Sequence, residues 1–387
     1  MGGVMPEESR ALEYSASLLV ALAGISSGVR VVDSPGPVMI FQDRVLADAE
    51  RLRSVFEIST LQRENHTNSR DREGRFREDG ISWNVLDAPV SRAAMEIRSI
   101  IRSMVPESGL NPMEPAVIFT HDIDRIHFRD IYSLVKVPLR HVREGRPWVS
   151  WPTAMDSGSL LNVYKKILDL EAGFGIHSWC FFMGSDRGRL LRQARYSPET
   201  PALSPWLKLA GTHCATIGLH GSYAAPETNS YSEEKARLQA ACGQSVTTHR
   251  NHYLRMNSTS FWSQLQFAGF ALDSTVGYVN TPGFRAGICQ LYRPWDPVSC
   301  SMAKLWELPL VYMDRHHHLD NPDRILAILD AMMDMVMDCG GQVAILTHPE
   351  SFAVDNRWFD MYRQMIRVVQ SKKISTAGRL PVLEIMR

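Results

Sequence analysis

From residue 115 onward the chain alternates short apolar runs with longer stretches of helical periodicity. The apolar runs fall at residues 116–120, 176–183, 215–220, 245–250, 270–275, 305–313 and 342–348. Helical patterns occupy residues 161–172, 205–210, 232–241, 258–268 and 322–339 between them. Seven strands alternating with helices predict a parallel α/β architecture, most simply a closed or nearly closed barrel. An open, doubly wound sheet is the alternative. No glycine-rich phosphate loop follows a strand, which weighs against a nucleotide-binding sheet.

Residues 8–108 read differently, with a mixed and short-ranged pattern. A helix-like stretch leads to strand candidates at 29–32 and 38–41 and to a helix near 47–56. Residues 63–80, RENHTNSRDREGRFREDG, offer no face to bury and predict a long surface loop. Ala94, Ile97, Ile101 and Met104 then recur at helical spacing, so residues 90–105 predict an amphipathic helix. Glycine and two prolines punctuate residues 107–115, and the domain boundary is placed there. The division is an N-terminal accessory region, 1–113, followed by a barrel, 114–387.

Composition narrows the function classes. Lysine plus arginine and aspartate plus glutamate each number 42, so no whole-molecule field favours nucleic acid or anionic lipid. Hydrophobic residues at 44% and charged residues at 22% leave ample material for a large core across 387 residues. The six cysteines (Cys180, Cys214, Cys242, Cys289, Cys300 and Cys339) form no CxxC pair, so buried reduced thiols in a reducing compartment are expected. The apolar stretch 17–25 is too short to span a bilayer and follows Glu7, Glu8 and Glu13 rather than basic residues. A cytoplasmic protein with no membrane span is the expectation.

Functional side chains in a parallel barrel collect at the C-terminal ends of its strands. Here four runs lead into or end in THDID (120–124), HGSY (220–223), RNHY (250–253) and LTH (346–348). Residues two apart on an extended backbone project to the same side, so Asp122 and Asp124 can face one site. Two close carboxylates repel unless a cation or an arginine relieves them, which implies a divalent metal on one and a base role for the other. Taken singly, an Asp pair is more often a capped surface turn, and a strand-end histidine such as His220 a hydrogen-bonded core residue. Their joint position at neighbouring strand ends points to a site.

The order THDID, IGLHGSY, RNHYLR, LTH resembles the polysaccharide deacetylase superfamily, the NodB-type domains of carbohydrate esterase family 4. The likeness runs over residues 114–387 and extends to DSTVGY (273–278), GFRAG (283–287) and ELPLVYMD (307–314). It is similar to a bacterial branch with RxHYLR and GFRAG signatures, in which an N-terminal region carries a D-x-x-GRF stretch. DREGRF at 71–76 is similar to that stretch. The resemblance implies a distorted (β/α)7 barrel preceded by a smaller mixed α/β region, and a metal-dependent hydrolase acting on N-acetylated sugars. It further implies Asp122 as general base, Asp124 and His220 as metal ligands, and Arg250 as the partner of the base. Tyr253 would lend its backbone amide to the oxyanion, and His348 would be the general acid. The chemistry agrees: zinc polarises the acetyl carbonyl and acidifies water, a carboxylate takes the proton, and an imidazolium serves the departing amine. His348 then wants a carboxylate neighbour; Asp273 and Asp314 are the candidates, and Asp273 enters the catalytic set.

One position departs from the family pattern. A second histidine usually stands four residues after the first, where this chain has Ala224. His252 is expected to replace it, being two residues beyond Arg250 and facing the same cavity if extended geometry persists, whereas His249 points the other way. Trp295, Tyr292 and Arg285 are candidates for substrate contact, Arg285 equally for a strand-end carbonyl. The tract His316, His317, His318 reads as a solvated loop, and Met332, Met333, Met335 and Met337 as core packing within one helix. The expected function is zinc-dependent deacetylation of an N-acetylated sugar during assembly of a surface polysaccharide such as lipopolysaccharide O-antigen. The alternatives are a degenerate glycan-binding barrel and a metal-dependent hydrolase of a small non-sugar amide.

Overall fold

The computed structural model describes residues 6–22, 30–33, 39–41, 44–47, 49–61, 71, 75, 113–127, 157–186, 196–256, 259–316 and 321–380. In the N-terminal part, helices Pro6–Leu22 and Ala49–Ser59 accompany a three-stranded sheet. Its strands β1 (Arg30–Asp33), β2 (Met39–Phe41) and β3 (Arg44–Ala47) lie in the order β1-β3-β2. The helix expected at 90–105 and most of the loop at 63–80 lie outside the described residues.

Every apolar run beyond residue 115 forms strand. These are β4 (Ala116–Ile123), β5 (Trp179–Met183), β6 (Thr216–Gly221), β7 (Thr248–Asn251) and β8 (Leu272–Asp273). A small ribbon, β9 (Trp295–Asp296) and β10 (Ser301–Met302), precedes β11 (Trp306–Glu307), β12 (Leu310–Met313) and β13 (Gln342–Thr347). The main sheet runs β11-β8-β7-β6-β5-β4-β13-β12, and all its neighbouring pairs are parallel.

Its two edges, β11 and β12, are halves of one run separated only by Leu308 and Pro309. Proline has no N–H to give a ladder, and the run changes partner there. Leu308 N–H donates to the Asp273 carbonyl on one side, while the Pro309 carbonyl accepts from Ala344 N–H on the other. One segment therefore joins both edges of the sheet. Counted by runs, the ring has seven members, which is the distorted (β/α)7 barrel rather than an open sheet.

The alternation of side chains along β4 sets the position of the site. Ala116 and Ile118 pack inward with Trp179, Phe181, Leu310, Ala344 and Leu346. Val117 and Phe119 pack outward against helix residues such as Leu329, Met332, Tyr362 and Ile366. A period of two then carries Asp122 to the inner row at the C-terminal mouth. Gly218 lies one inward step below His220, and a Cβ there would sit 2.6 Å from the Phe181 ring.

Helix Pro322–Cys339 begins at Asn321, whose side chain accepts from Arg324 N–H, and ends at Gly340 in the left-handed conformation. Met332, Met333 and Met335 are buried on its inner face, but Met337 is 39% exposed and does not join them. All six cysteines are free thiols. Among the described residues no helix is long and apolar enough to cross a membrane.

The N-terminal helices share one continuous core with the barrel. Tyr14 and Phe56 bring their ring edges onto Trp295 at centroid distances of 5.4 and 5.2 Å. Tyr14 Oη donates to the Arg293 carbonyl, and Gln290 Nε2 donates to the Leu22 carbonyl.

Candidate metal centre

Four strand ends deliver polar side chains to the barrel mouth. Asp124 follows β4, His220 ends β6, and His252 follows β7; one donor atom from each lies within 4.8 Å of the others. Asp124 Oδ1, buried and without a well-aligned hydrogen-bond partner, is 3.3 Å from His220 Nε2 and 3.4 Å from His252 Nδ1. His220 Nε2 and His252 Nδ1 are 2.9 Å apart. His220 Nδ1 faces the Arg250 carbonyl at 3.0 Å and donates to it, which leaves Nε2 as the free electron pair directed at this point.

The electrostatics fit a cation. Burial opposes ionisation of Asp124, but the charges and close approach of His252, His220 and His348 outweigh it and hold the carboxyl well below its ordinary range. Burial keeps His252 below the usual imidazole value in spite of Asp124, and the neutral ring is the form that binds metal. Burial also disfavours the charged form of His220, but Asp122 and Asp124 prevail and raise it. A partly buried carboxylate with two buried imidazoles is a donor set suited to zinc or a similar divalent ion, with further positions open. The residues present therefore fit a metal.

Beside this triad stands the carboxylate of Asp122. Arg250 Nη1 donates to Asp122 Oδ1 at 2.9 Å and to Thr120 Oγ1 at 2.8 Å. Nε and Nη2 of the same guanidinium bond the Ser274 carbonyl and hydroxyl, and its carbon lies 4.5 Å over the Phe181 ring. The arginine is fully buried and anchored on four sides, so it fixes one oxygen of Asp122. The other, Oδ2, lies 3.7 Å from His220 Nε2.

His348 closes the opposite side. Its Nδ1 donates to Asp314 Oδ1 at 2.7 Å, and its backbone N–H donates to Asp314 Oδ2 at 3.0 Å. Nε2 is thereby turned toward Asp124, 3.9 Å from Oδ2. Burial works against a charged ring, but Asp314 outweighs it and raises the His348 pKa.

Asp273, expected among the catalytic residues, is not part of this cluster. Its Oδ1 is 2.6 Å from His249 Nδ1 and accepts from the Thr275 hydroxyl, which locks it into the barrel wall. Trp295 is likewise misplaced as a sugar platform, being 6% exposed and covered by Tyr14 and Phe56. Tyr292 is buried as well, and Arg285 donates to the Gly277 carbonyl. His316 donates through Nε2 to the Tyr278 carbonyl, a structural bond; His317 and His318 lie outside the described residues.

His252 reaches the metal triad by a different route from the one expected. The strand ends at Asn251, and a tight turn follows in which Tyr253 and Leu254 take φ of 60° and 51°. Asp314 was only an alternative to Asp273. Two neighbours, Arg315 and Glu350, carry no signal in the sequence. Arg315, half exposed, places Nη2 3.6 Å from Asp124 Oδ2. Glu350 is buried with neither carboxylate oxygen hydrogen-bonded, and burial followed by the charge of Asp124 pushes it up to about 7.

No family model matches the chain, and no curated protein matches it. Solved structures give loose likenesses. A Mycobacterium smegmatis protein designated a polysaccharide deacetylase aligns at 18% identity and a TM-score of 0.46, over 71% of this chain and 94% of that one. A chitin deacetylase from Colletotrichum lindemuthianum aligns at 10% identity and 0.36, over 68% and 84%. A Bacillus anthracis member of carbohydrate esterase family 4 described as a pseudoenzyme aligns at 11% and 0.34, over 68% and 64%. Superpositions this loose assign no activity.

Proposed function

We propose that this chain is a divalent-metal-dependent hydrolase, with zinc the natural metal, that removes the N-acetyl group from a sugar during assembly of a surface polysaccharide. One observation carries the reading: Asp124, His220 and His252 converge on a point flanked by the Arg250-anchored Asp122 and the Asp314-anchored His348. The family resemblance of the strand-end motifs supplies the substrate class.

A metal held by the triad would supply a Lewis acid for the acyl oxygen and lower the pKa of a water. The chain's own residues do the proton work. Asp122 accepts the proton of the attacking water on Oδ2, because Arg250 occupies Oδ1. The oxygen–carbon bond forms, the carbon–nitrogen bond breaks, and His348 delivers a proton from Nε2 to the departing amine. Asp314 holds Nδ1–H and favours the charged imidazolium that this step requires.

Acetate release from N-acetylated sugars, sugar nucleotides and oligosaccharides, set beside small non-sugar amides, tests the reading. Chelated protein should be inactive and regain activity with zinc. Hydrolysis of the non-sugar amides alone would overturn the substrate class. Glycan binding without acetate release in the metal-loaded protein would overturn the enzyme.

A further inference from the structure

Within the RENHTNSRDREGRFREDG stretch, Asp71 and Arg75 are built into the barrel mouth. The Arg75 guanidinium donates through Nε and Nη2 to Asp71 Oδ2, at 2.8 and 2.6 Å. Arg75 N–H donates to Asp71 Oδ1, and Asp71 N–H donates to the Arg75 carbonyl. This clasp uses two of the three guanidinium nitrogens and points the third across the molecule. Nη1 donates to the backbone carbonyl of Tyr253 at 2.8 Å, 178 residues further along the chain. The guanidinium carbon also lies 5.6 Å from the centre of the Tyr253 ring. The pair is 13% and 20% exposed, so water competes little.

Tyr253 sits in the least comfortable stretch of backbone near the site. It and Leu254 are consecutive non-glycine residues in the left-handed region, at φ 60° and 51°. L-residues with a Cβ avoid that region unless the surroundings impose it. The turn matters because His252 precedes it and the Tyr253 amide lies within it. The Tyr253 ring meets His252 edge-on at 4.4 Å and Tyr223 at 5.7 Å. Arg255 ties the far side by donating to the Tyr223 carbonyl and to Glu227. Arg75 is the only described N-terminal residue whose hydrogen bond reaches this turn.

We propose that the Asp71–Arg75 clasp of the N-terminal region is part of the metal centre's support: Arg75, acting through the Tyr253 carbonyl, is a positioning residue that sets the left-handed turn carrying His252. This rests on the metal site of the preceding reading but not on its substrate. The N-terminal region is then required for the barrel to hold its third ligand, which Ala224 does not supply.

The test uses the full chain, with cobalt(II) as a visible probe of coordination. Arg75→Ala, Arg75→Lys and Asp71→Asn are compared with wild type for cobalt affinity, for the ligand-field spectrum and for thermal unfolding of the metal-free protein. Outer partners of metal ligands are worth about 10- to 100-fold in affinity. Arg75 bonds the residue after the ligand rather than the ligand itself, so Arg75→Ala should lose about 10-fold, the lower end of that range, and alter the spectrum, with unfolding of the metal-free protein little changed. Added ethylguanidinium should restore part of the affinity. Arg75→Lys should fall in between, because an ammonium can reach the carbonyl but cannot keep the fork on Asp71. Asp71→Asn, the milder change should Arg75→Ala fail to fold, should weaken cobalt binding several-fold. Unchanged affinity and spectrum in Arg75→Ala or Asp71→Asn would overturn the proposal. So would a loss that tracks global unfolding and ignores ethylguanidinium. Cobalt binding that responds to Arg75 in a protein releasing no acetate from any substrate would retain the clasp and remove the deacetylase reading.

Discussion

Replacing Glu350 by glutamine should make the metal-free protein more stable, and only above mildly acidic pH. Glu350 lies two residues after His348, 7% exposed, with neither carboxylate oxygen bonded. Burial, then the Asp124 charge, raises its pKa from 4.5 to about 7, against the lowering influence of His348 and Arg315. The folded chain therefore holds a proton at Glu350 across a window where the unfolded chain has released it. Stability must fall as pH rises from about 4.5 to about 7 and then level off. At about 1.4 kcal/mol per pH unit the full window amounts to about 3 kcal/mol, an upper figure for a site so close to other charges. Glutamine keeps the neutral shape at every pH. Urea unfolding with chelator present should give equal stabilities near pH 4 and a Glu350→Gln advantage approaching about 3 kcal/mol at pH 8. His348 titrates in both proteins, so the difference reports Glu350 together with its coupling to His348 and Asp124. A bound divalent ion offsets the Asp124 charge and should shrink the gap. Curves that run parallel from pH 4 to 8 would refute the reasoning.

Further outcomes follow from the same geometry. Asp122→Asn should retain metal and lose about 10²- to 10⁴-fold in turnover, the usual worth of a general base. Asp314→Asn removes the charge that keeps His348 protonated, so the alkaline limb of the rate profile should move to lower pH. In fluorescence-detected denaturation, Trp295→Ala should cost about 3–5 kcal/mol as a core truncation. It should leave the KM unchanged, because its ring faces Tyr14 and Phe56 rather than the mouth.

The barrel was legible because its strands are buried on both faces and interrupted by helices, a pattern local sequence cannot hide. All seven runs contain strand, and the polar endings of those runs, read with the family resemblance, picked out Asp122, His220, Arg250 and His348. What sequence could not reveal was contact between rows. Asp273 and Asp314 both stand near strand ends, but only the curvature of the sheet decides that Asp273 meets His249 and Asp314 meets His348. Trp295 looked like a sugar platform because the N-terminal helices that cover it are more than two hundred residues away in sequence. His252 was reached by assuming a straight strand where the chain turns through left-handed backbone, a conformation that no glycine marks. Arg75 sat in a stretch whose charge reads as solvated, although its partner is a carbonyl at the mouth.

The central claim is that one divalent ion is gripped by Asp124, His220 and His252, and metal analysis of protein purified without chelator tests it most directly. One ion per chain is expected in wild type and in Asp122→Asn. Asp124→Ala, His220→Ala and His252→Ala should each be left with little or none. Wild-type protein that takes up no ion on dialysis against zinc, or a His252→Ala variant that keeps a full equivalent, would contradict it.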